Sequence, residues 1–285
     1  MRSLLFTPGN KENMLEKAIG SRADVLVPDM EDSVADGDKA AAREQIAKWL
    51  PRLAEQQALL MPRVNSLRTE WFEVDVAAVA TEGVWGLSIG KVESAADIST
   101  ISQVIAKSER AAGLDVGRLK LIPWIETALA IENCFEICRA SDRIAAVAFG
   151  GEDYTWDLGV ERLDDESNLV YQRSTICNAA RAAGIPALDT PYFQFRDPEG
   201  LKTSCQAARR LGFKGRFAIH PAQIETIIAC FSPSAAEIDE ARRILAAFGE
   251  AEERGRGSTS LDGRVIDVPV VRRARALLEQ AGETE

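Results

Sequence analysis

The chain has 285 residues, 46% of them hydrophobic and 27% charged, with a formal net charge of −10. That length and composition suit a globular protein with a sizeable core. The negative balance excludes a nucleic-acid binder that works through a basic footprint. It leaves room for an anionic small molecule, because local arginines or a metal can reverse the sign inside a pocket.

Short apolar runs recur along the chain: "SLLFT" (3–7), "DVLVP" (24–28), "LLMPRV" (59–64), "VWGLSIG" (84–90), "LKLIPWI" (119–125), "IAAVAFG" (144–150), "GIPALDT" (184–190) and "GRFAI" (215–219). They read as near-continuous apolar segments, the pattern of parallel strands covered on both faces. Helical spacing fills the gaps. "NKENMLEKAIG" closes on Gly20, and Ser94 with Asp97, then Ser234 with Glu237, form [ST]-x-x-[DE] capping patterns. Eight strands alternating with helices predict an α/β fold, a (β/α)8 TIM-type barrel over residues 1–250. A doubly wound open sheet is the alternative, but no GxGxxG or GxxxxGK[ST] loop accompanies it. "EERGRGSTSLDGR" (252–264) reads as a linker, so residues 251–285 form a C-terminal arm and helix. The first apolar run is too short for a signal peptide or membrane span, and five cysteines with no CxxC pair read as small buried side chains in a reducing compartment. The expectation is a cytoplasmic protein with neither membrane nor nucleic acid as partner.

In such a barrel the active site lies at the C-terminal ends of the strands. Those ends carry Pro8-Gly9-Asn10, then Asp29, Glu31 and Asp32, then Arg63 and Asn65, Lys91 and Glu93, Glu126, Glu152 and Asp153, Asp189, and His220. Most are carboxylates, and so acidic a rim calls for a cation. Mg²⁺ takes one or two protein carboxylates and fills its other positions with water and substrate. Glu126 and Asp153, on neighbouring strands, suit that pair; each alone also suits a helix start. Asp29, Glu31 and Asp32 are candidate acceptors for metal-bound waters. Lys91 and Glu93 are candidates for a salt bridge supporting the rim. His220 is the only histidine, which rules out a His-rich metal site.

"RSLLFTPGN", "DMEDSVADGDKAAAR", "PRVNS", "GKVESAADI", "IPWIETALAI", "AFGGEDYTWDLG", "GFKGRFAIHPAQI", "FSPSAAEIDEARRIL" and "VIDVPVVRRA", in this order, resemble the citrate lyase β-subunit (CitE-like) acyl-CoA lyases. These belong to the HpcH/HpaI aldolase superfamily and include malyl-CoA and citramalyl-CoA lyases. The resemblance runs nearly end to end. It implies a Mg²⁺-dependent barrel (Mn²⁺ as a possible substitute), commonly a homotrimer, that cleaves a β-hydroxyacyl thioester by retro-Claisen chemistry. By position, Glu126 and Asp153 are similar to the metal ligands, and Arg63 to the residue that stabilises the enolate. Phe6, Pro8, Gly9, Lys17, Ile219 and His220 are similar to groups lining the thioester and its CoA carrier. Asp267 is similar to an acid/base aspartate that reaches a neighbouring subunit's site; read from its neighbours alone, before Val268-Pro269, it is a helix N-cap. Asn13 stands where some members carry a lysine. Two other activities fit the same residues: a hydroxyacyl-CoA thioesterase, and a metal-dependent pyruvate aldolase acting on free acids. An acyl-carrier protein is a less favoured carrier than CoA.

Overall fold

The eight apolar runs all form parallel strands in the computed structural model, which describes residues 1–283. They are β1 (Ser3–Pro8), β2 (Val25–Asp29), β3 (Leu59–Leu60), β4 (Arg63–Val64), β5 (Gly86–Ile89), β6 (Lys120–Ile125), β7 (Val147–Phe149), β8 (Ala187–Asp189) and β9 (Gly215–Ala218). The nine segments fill eight positions, because β3 and β4 both pair with β2 and are separated by Met61-Pro62. Proline has no N–H to give a ladder, so the third strand breaks there. Pairing of β1 with β2 on one side and β9 on the other closes the barrel.

Within each strand alternate residues face inward. The interior is filled by Leu4, Val25, Val27, Met61, Ile122, Trp124, Ala146, Ala148, Leu188 and Phe217. Near its C-terminal end three aromatics plug the barrel: Phe6 stacks on Phe217 at 5.1 Å between ring centroids, and Trp124 lies 4.4 Å from Phe217. The Trp124 indole N–H donates to Ser88 Oγ at 2.7 Å, so its burial strands no polar group. This parity decides which strand-end residues reach the mouth. Phe6, Asp29, Arg63, Glu126 and Gly150 continue the inward series, whereas Asp189 and Arg216 fall on the outward one.

The helix starts follow the expected caps. Ser94 Oγ accepts the Asp97 N–H, and Ser234 and Glu237 form a reciprocal capping box. Cys134, Cys138, Cys177 and Cys205 are buried. No helix among the described residues is long and apolar enough to cross a membrane.

The chain divides into two compact units, Met1–Ile228 and the segment from Ala229 onward. The boundary therefore falls earlier than the expected position after residue 250. The reason is that helix Ala235–Glu253 packs on helix Val268–Gln280 through Ala241, Ala274 and Leu278. The expected linker is also more ordered than its composition suggests. It holds an antiparallel hairpin, β10 (Thr259–Leu261) and β11 (Arg264–Ile266). Asp262 and Gly263 turn it with φ of 50° and 78°, as a two-residue hairpin loop with the strands' own twist requires.

Candidate active site

A cavity of about 450 Å³ opens at the C-terminal end of the barrel. Asp29, Asp32, Arg63, Glu126, Asp153 and Ile219 are among its lining residues, with Phe6 and Trp124 also on its wall. With Thr190 after β8, seven strand ends thus contribute to one hollow.

Arg63 is held more tightly than its sequence position foretold. Its Nε and Nη2 donate to the two carboxylate oxygens of Asp29, both at 2.7 Å. Nη1 donates to Asp32 Oδ2 at 2.9 Å and lies 3.0 Å from Glu31 Oε2. Its guanidinium sits over the Phe6 ring at 4.5 Å, a cation–π contact. Asp29 also accepts the backbone N–H groups of Glu31 and Ser33, so its oxygens are fully engaged. It orients Arg63 from the cavity wall. Burial opposes the Asp29 charge, but Arg63 outweighs it and holds the carboxyl below its ordinary value.

Glu126 is 2% exposed and rests between two glycines. A Cβ on Gly90 would lie 2.7 Å from Glu126 Oε1, and one on Gly150 would lie 2.6 Å from Glu126 Cβ. Both glycines are therefore seats for this carboxylate. Its Oε1 accepts the Lys91 N–H. Burial first, then the charges of Glu31 and Asp153, push the Glu126 pKa up. Asp153 lies in the first turn of helix Gly151–Leu158, and burial and Asp32 raise its pKa too. Glu31 is pushed up to about 7 by burial, against the pull of Arg63. Its Oε2 is buried against the Arg63 guanidinium, 3.0 Å from Nη1. Raised acids gathered at one mouth are what a site for a hard divalent cation presents before the ion's charge is added. Among the described residues no three Asp, Glu, His or Cys side chains gather closely enough to hold an ion alone. The donor set fits an ion such as Mg²⁺, which takes one or two carboxylates and completes its shell with water or substrate.

Several expected site residues stand elsewhere. Lys91 does not pair with Glu93; its Nζ reaches Asp32 Oδ1 at 3.1 Å and Glu31 Oε1 at 3.3 Å, while Glu93 pairs with Arg68. Asp189 is fully buried among Arg173 and Arg216, behind the cavity wall formed by Thr190 and Pro191. Pro8, Gly9, Lys17 and His220 do not line the cavity. Gly9 packs against the Asp29 carbonyl, and Lys17 is exposed. His220 Nδ1 accepts the Ala222 N–H at 3.2 Å, and its ring stacks on Phe195 at 5.1 Å. Glu152 stays on the cavity wall, where it pairs with Arg162 at 3.0 Å. In the second unit Asp267 caps helix Val268–Gln280, with Oδ1 accepting the Val270 N–H at 3.2 Å.

A buried ionic network beside the site was not read from the sequence. Glu166, in a left-handed conformation at φ 55°, accepts from Arg162, Arg173 and Ser204. Burial opposes its charge, yet Arg216 and Arg173 hold its pKa down to about 2. A larger hollow, about 730 Å³, lies between the helices and hairpin of the second unit. It mixes Ile244 and Leu277 with charged residues such as Glu240 and Arg273.

The family model for HpcH/HpaI aldolase/citrate lyase matches residues 2–221. The chain belongs to that family. It is 36% identical over 280 residues to the citrate lyase subunit beta of Leuconostoc mesenteroides, covering 98% of this chain and 93% of that one. It is equally 36% identical to a (3S)-malyl-CoA thioesterase of Cereibacter sphaeroides, covering 98% and 94%. Among solved structures it resembles the protein CitE of Mycobacterium tuberculosis in complex with magnesium, acetoacetate and coenzyme A. That likeness has a TM-score of 0.82 and 30% identity over 99% of this chain and 98% of that one.

Proposed function

We propose that this chain is a Mg²⁺-dependent carbon–carbon lyase. Its substrate is a β-hydroxyacyl-CoA thioester of malyl, citramalyl or citryl type, and its products are acetyl-CoA and a 2-oxo acid. The observation that carries the reading is the conjunction at one mouth of a guanidinium locked by a buried carboxylate, Arg63 on Asp29, with two raised carboxylates, Glu126 and Asp153. The magnesium- and CoA-bound CitE structure supports it.

Glu126 and Asp153 would hold Mg²⁺, which when bound polarises the substrate's hydroxyl and carboxylate oxygens. As the carbon–carbon bond breaks, the hydroxyl gives its proton to solvent and becomes the carbonyl of the 2-oxo acid, and the bond's electron pair passes to an enolate that Arg63 would stabilise. Asp29 is fully buried and cannot swing away, so the guanidinium plane is fixed before substrate arrives. Asp32 has a half-exposed side chain and can yield the Nη1 donor to the thioester oxygen as charge grows there. Phe6 beneath the guanidinium and Trp124 beside it exclude water from that side. Asp267 delivers a proton to the acetyl carbon in this reading. The cap engages Oδ1, which is compatible with proton transfer from the carboxyl group. Following the family resemblance, a neighbouring subunit of a trimer supplies it.

The thioesterase relative favours a second reading, in which the same site hydrolyses the thioester. Products separate the two. Purified chain is offered malyl-, methylmalyl-, citramalyl- and citryl-thioesters with and without Mg²⁺. A lyase releases a 2-oxo acid and no free CoA. Release of CoA and the intact hydroxy acid alone refutes the lyase assignment.

A further inference from the structure

Of the carboxylates at and just behind the cavity wall, Glu31, Asp32, Glu126 and Asp153 influence one another but are not equivalent. Glu31 and Asp32 are claimed by two cations. Asp32 offers Oδ2 to Arg63 Nη1 and Oδ1 to Lys91 Nζ. Glu31 places Oε2 3.0 Å from the same Arg63 nitrogen and Oε1 3.3 Å from Lys91 Nζ. Glu126 and Asp153 have no such direct ion pair among the described residues; Glu126 takes the Lys91 backbone N–H on Oε1.

Lys91 therefore touches both groups, and its backbone is shaped to do so. Its φ is 57°, a left-handed conformation that a side-chain-bearing residue adopts at a cost. Arg68 Nη1 donates to its carbonyl at 2.8 Å. Gly90 before it leaves room for the Glu126 and Glu31 carboxylates, which a Cβ there would meet at 2.7 and 2.8 Å. The left-handed φ sets the direction of the side chain relative to that N–H, so the ammonium reaches Glu31 and Asp32 while the N–H meets Glu126. Strain of this kind persists only where neighbouring contacts impose it.

We propose that Lys91 is the positioning residue of the metal site. Its N–H fixes Glu126, and its ammonium keeps Glu31 and Asp32 out of the ion's coordination shell. The ion is thereby confined to Glu126 and Asp153, and its remaining positions stay open for substrate oxygens. This rests on the reading of Glu126 and Asp153 as ligands. It assigns Lys91 a function distinct from a rim salt bridge. Without the ammonium, Asp32 keeps Arg63 on Oδ2 while its Oδ1 is released toward the ion, and a more acidic, more closed site results.

Mn²⁺ is the probe. The full-length chain, stripped of divalent ions by chelation, is titrated calorimetrically, and water on the bound ion is counted by proton relaxation. Lys91→Met is expected to bind Mn²⁺ about tenfold tighter or more, because a nearby positive charge is removed and carboxylates are released. It should also carry fewer bound waters. Lys91→Gly keeps the N–H and relieves the left-handed strain, so it should show the same gain in a securely folded chain. Lys91→Arg keeps the charge and should match wild type. Adding Asp32→Asn to Lys91→Met should erase most of the gain. Unchanged or weaker binding in both Lys91→Met and Lys91→Gly overturns the proposal. A gain that survives Asp32→Asn with unchanged water number also overturns it, since Lys91 would then act by distant charge alone. If Glu126→Gln leaves wild-type Mn²⁺ binding intact, the ligand reading itself fails, and this proposal with it.

Discussion

Gly150→Ala adds one methyl group at a position whose backbone tolerates it, since φ there is −104°. The whole effect is therefore steric and falls on Glu126. The new Cβ would stand 2.6 Å from Glu126 Cβ and closer still to Oε2. Restoring ordinary contact at 3.4 Å requires a retreat of about 0.8 Å. Glu126 has nowhere to go: it is 2% exposed, backed by Gly90, and held by the Lys91 N–H. Overpacking of this kind costs about 1–3 kcal/mol of stability, which a barrel of this size survives. Displacing a ligand by nearly an ångström costs on the order of 100-fold in turnover. Gly151→Ala is the control. Its Cβ would meet Thr190 Oγ1 at 3.2 Å and Leu169 Cδ1 at 3.4 Å, and neither is a ligand. Thermal melting, Mg²⁺ calorimetry and turnover are measured on both. Gly150→Ala should melt slightly earlier and lose Mg²⁺ affinity and activity together, while Gly151→Ala stays near wild type. Full Mg²⁺ affinity in a folded Gly150→Ala refutes the seat assigned to Glu126.

Asp267→Asn should keep its melting temperature, because asparagine caps a helix as well as aspartate does, while turnover falls about 10²- to 10⁴-fold; wild-type turnover would leave Asp267 a cap only. Arg63→Lys gives up the two-pronged grip on Asp29 and should cost up to about 3–5 kcal/mol in a denaturant melt, with turnover lost out of proportion to the folded fraction. Glu166 has its folded pKa held near 2, below its ordinary 4.5. Its contribution to stability is thus complete above pH 4.5 and lost as pH falls toward 2. Glu166→Gln should flatten the acid limb of stability in that window, as read by melting temperature against pH, and an unchanged limb contradicts the network's role.

The barrel was legible because parallel strands buried on both faces leave unmistakable apolar runs, and because Ser94 and Ser234 announce their helices. Glu126, Asp153 and Arg63 were legible because strand ends of a barrel converge. Strand-end position alone misled for Asp189. Parity corrects it: Leu188 fills the interior, so Asp189 must face the helix layer, where Arg173 awaits it. The same alternation carries Asp29, Arg63, Glu126 and Gly150 inward. The partner of Lys91 was misassigned because a left-handed residue turns its side chain away from its sequence neighbours, and nothing in "GKVES" signals that turn. The hairpin at 259–266 was missed although Asp262-Gly263 is its signature; the surrounding Gly, Ser and charge outweighed two residues. Of the arginines around Glu166, Arg162 and Arg173 are near it in the chain, whereas Arg216 is brought in only by folding.

The central claim is that this pocket breaks a carbon–carbon bond through an enolate. Turnover of a malyl- or citramalyl-type thioester in D₂O with Mg²⁺, followed by mass spectrometry of the products, tests it most directly. The account predicts a 2-oxo acid together with acetyl-CoA carrying one deuterium in its methyl group. Free CoA with the hydroxy acid intact, or acetyl-CoA without deuterium, would contradict it.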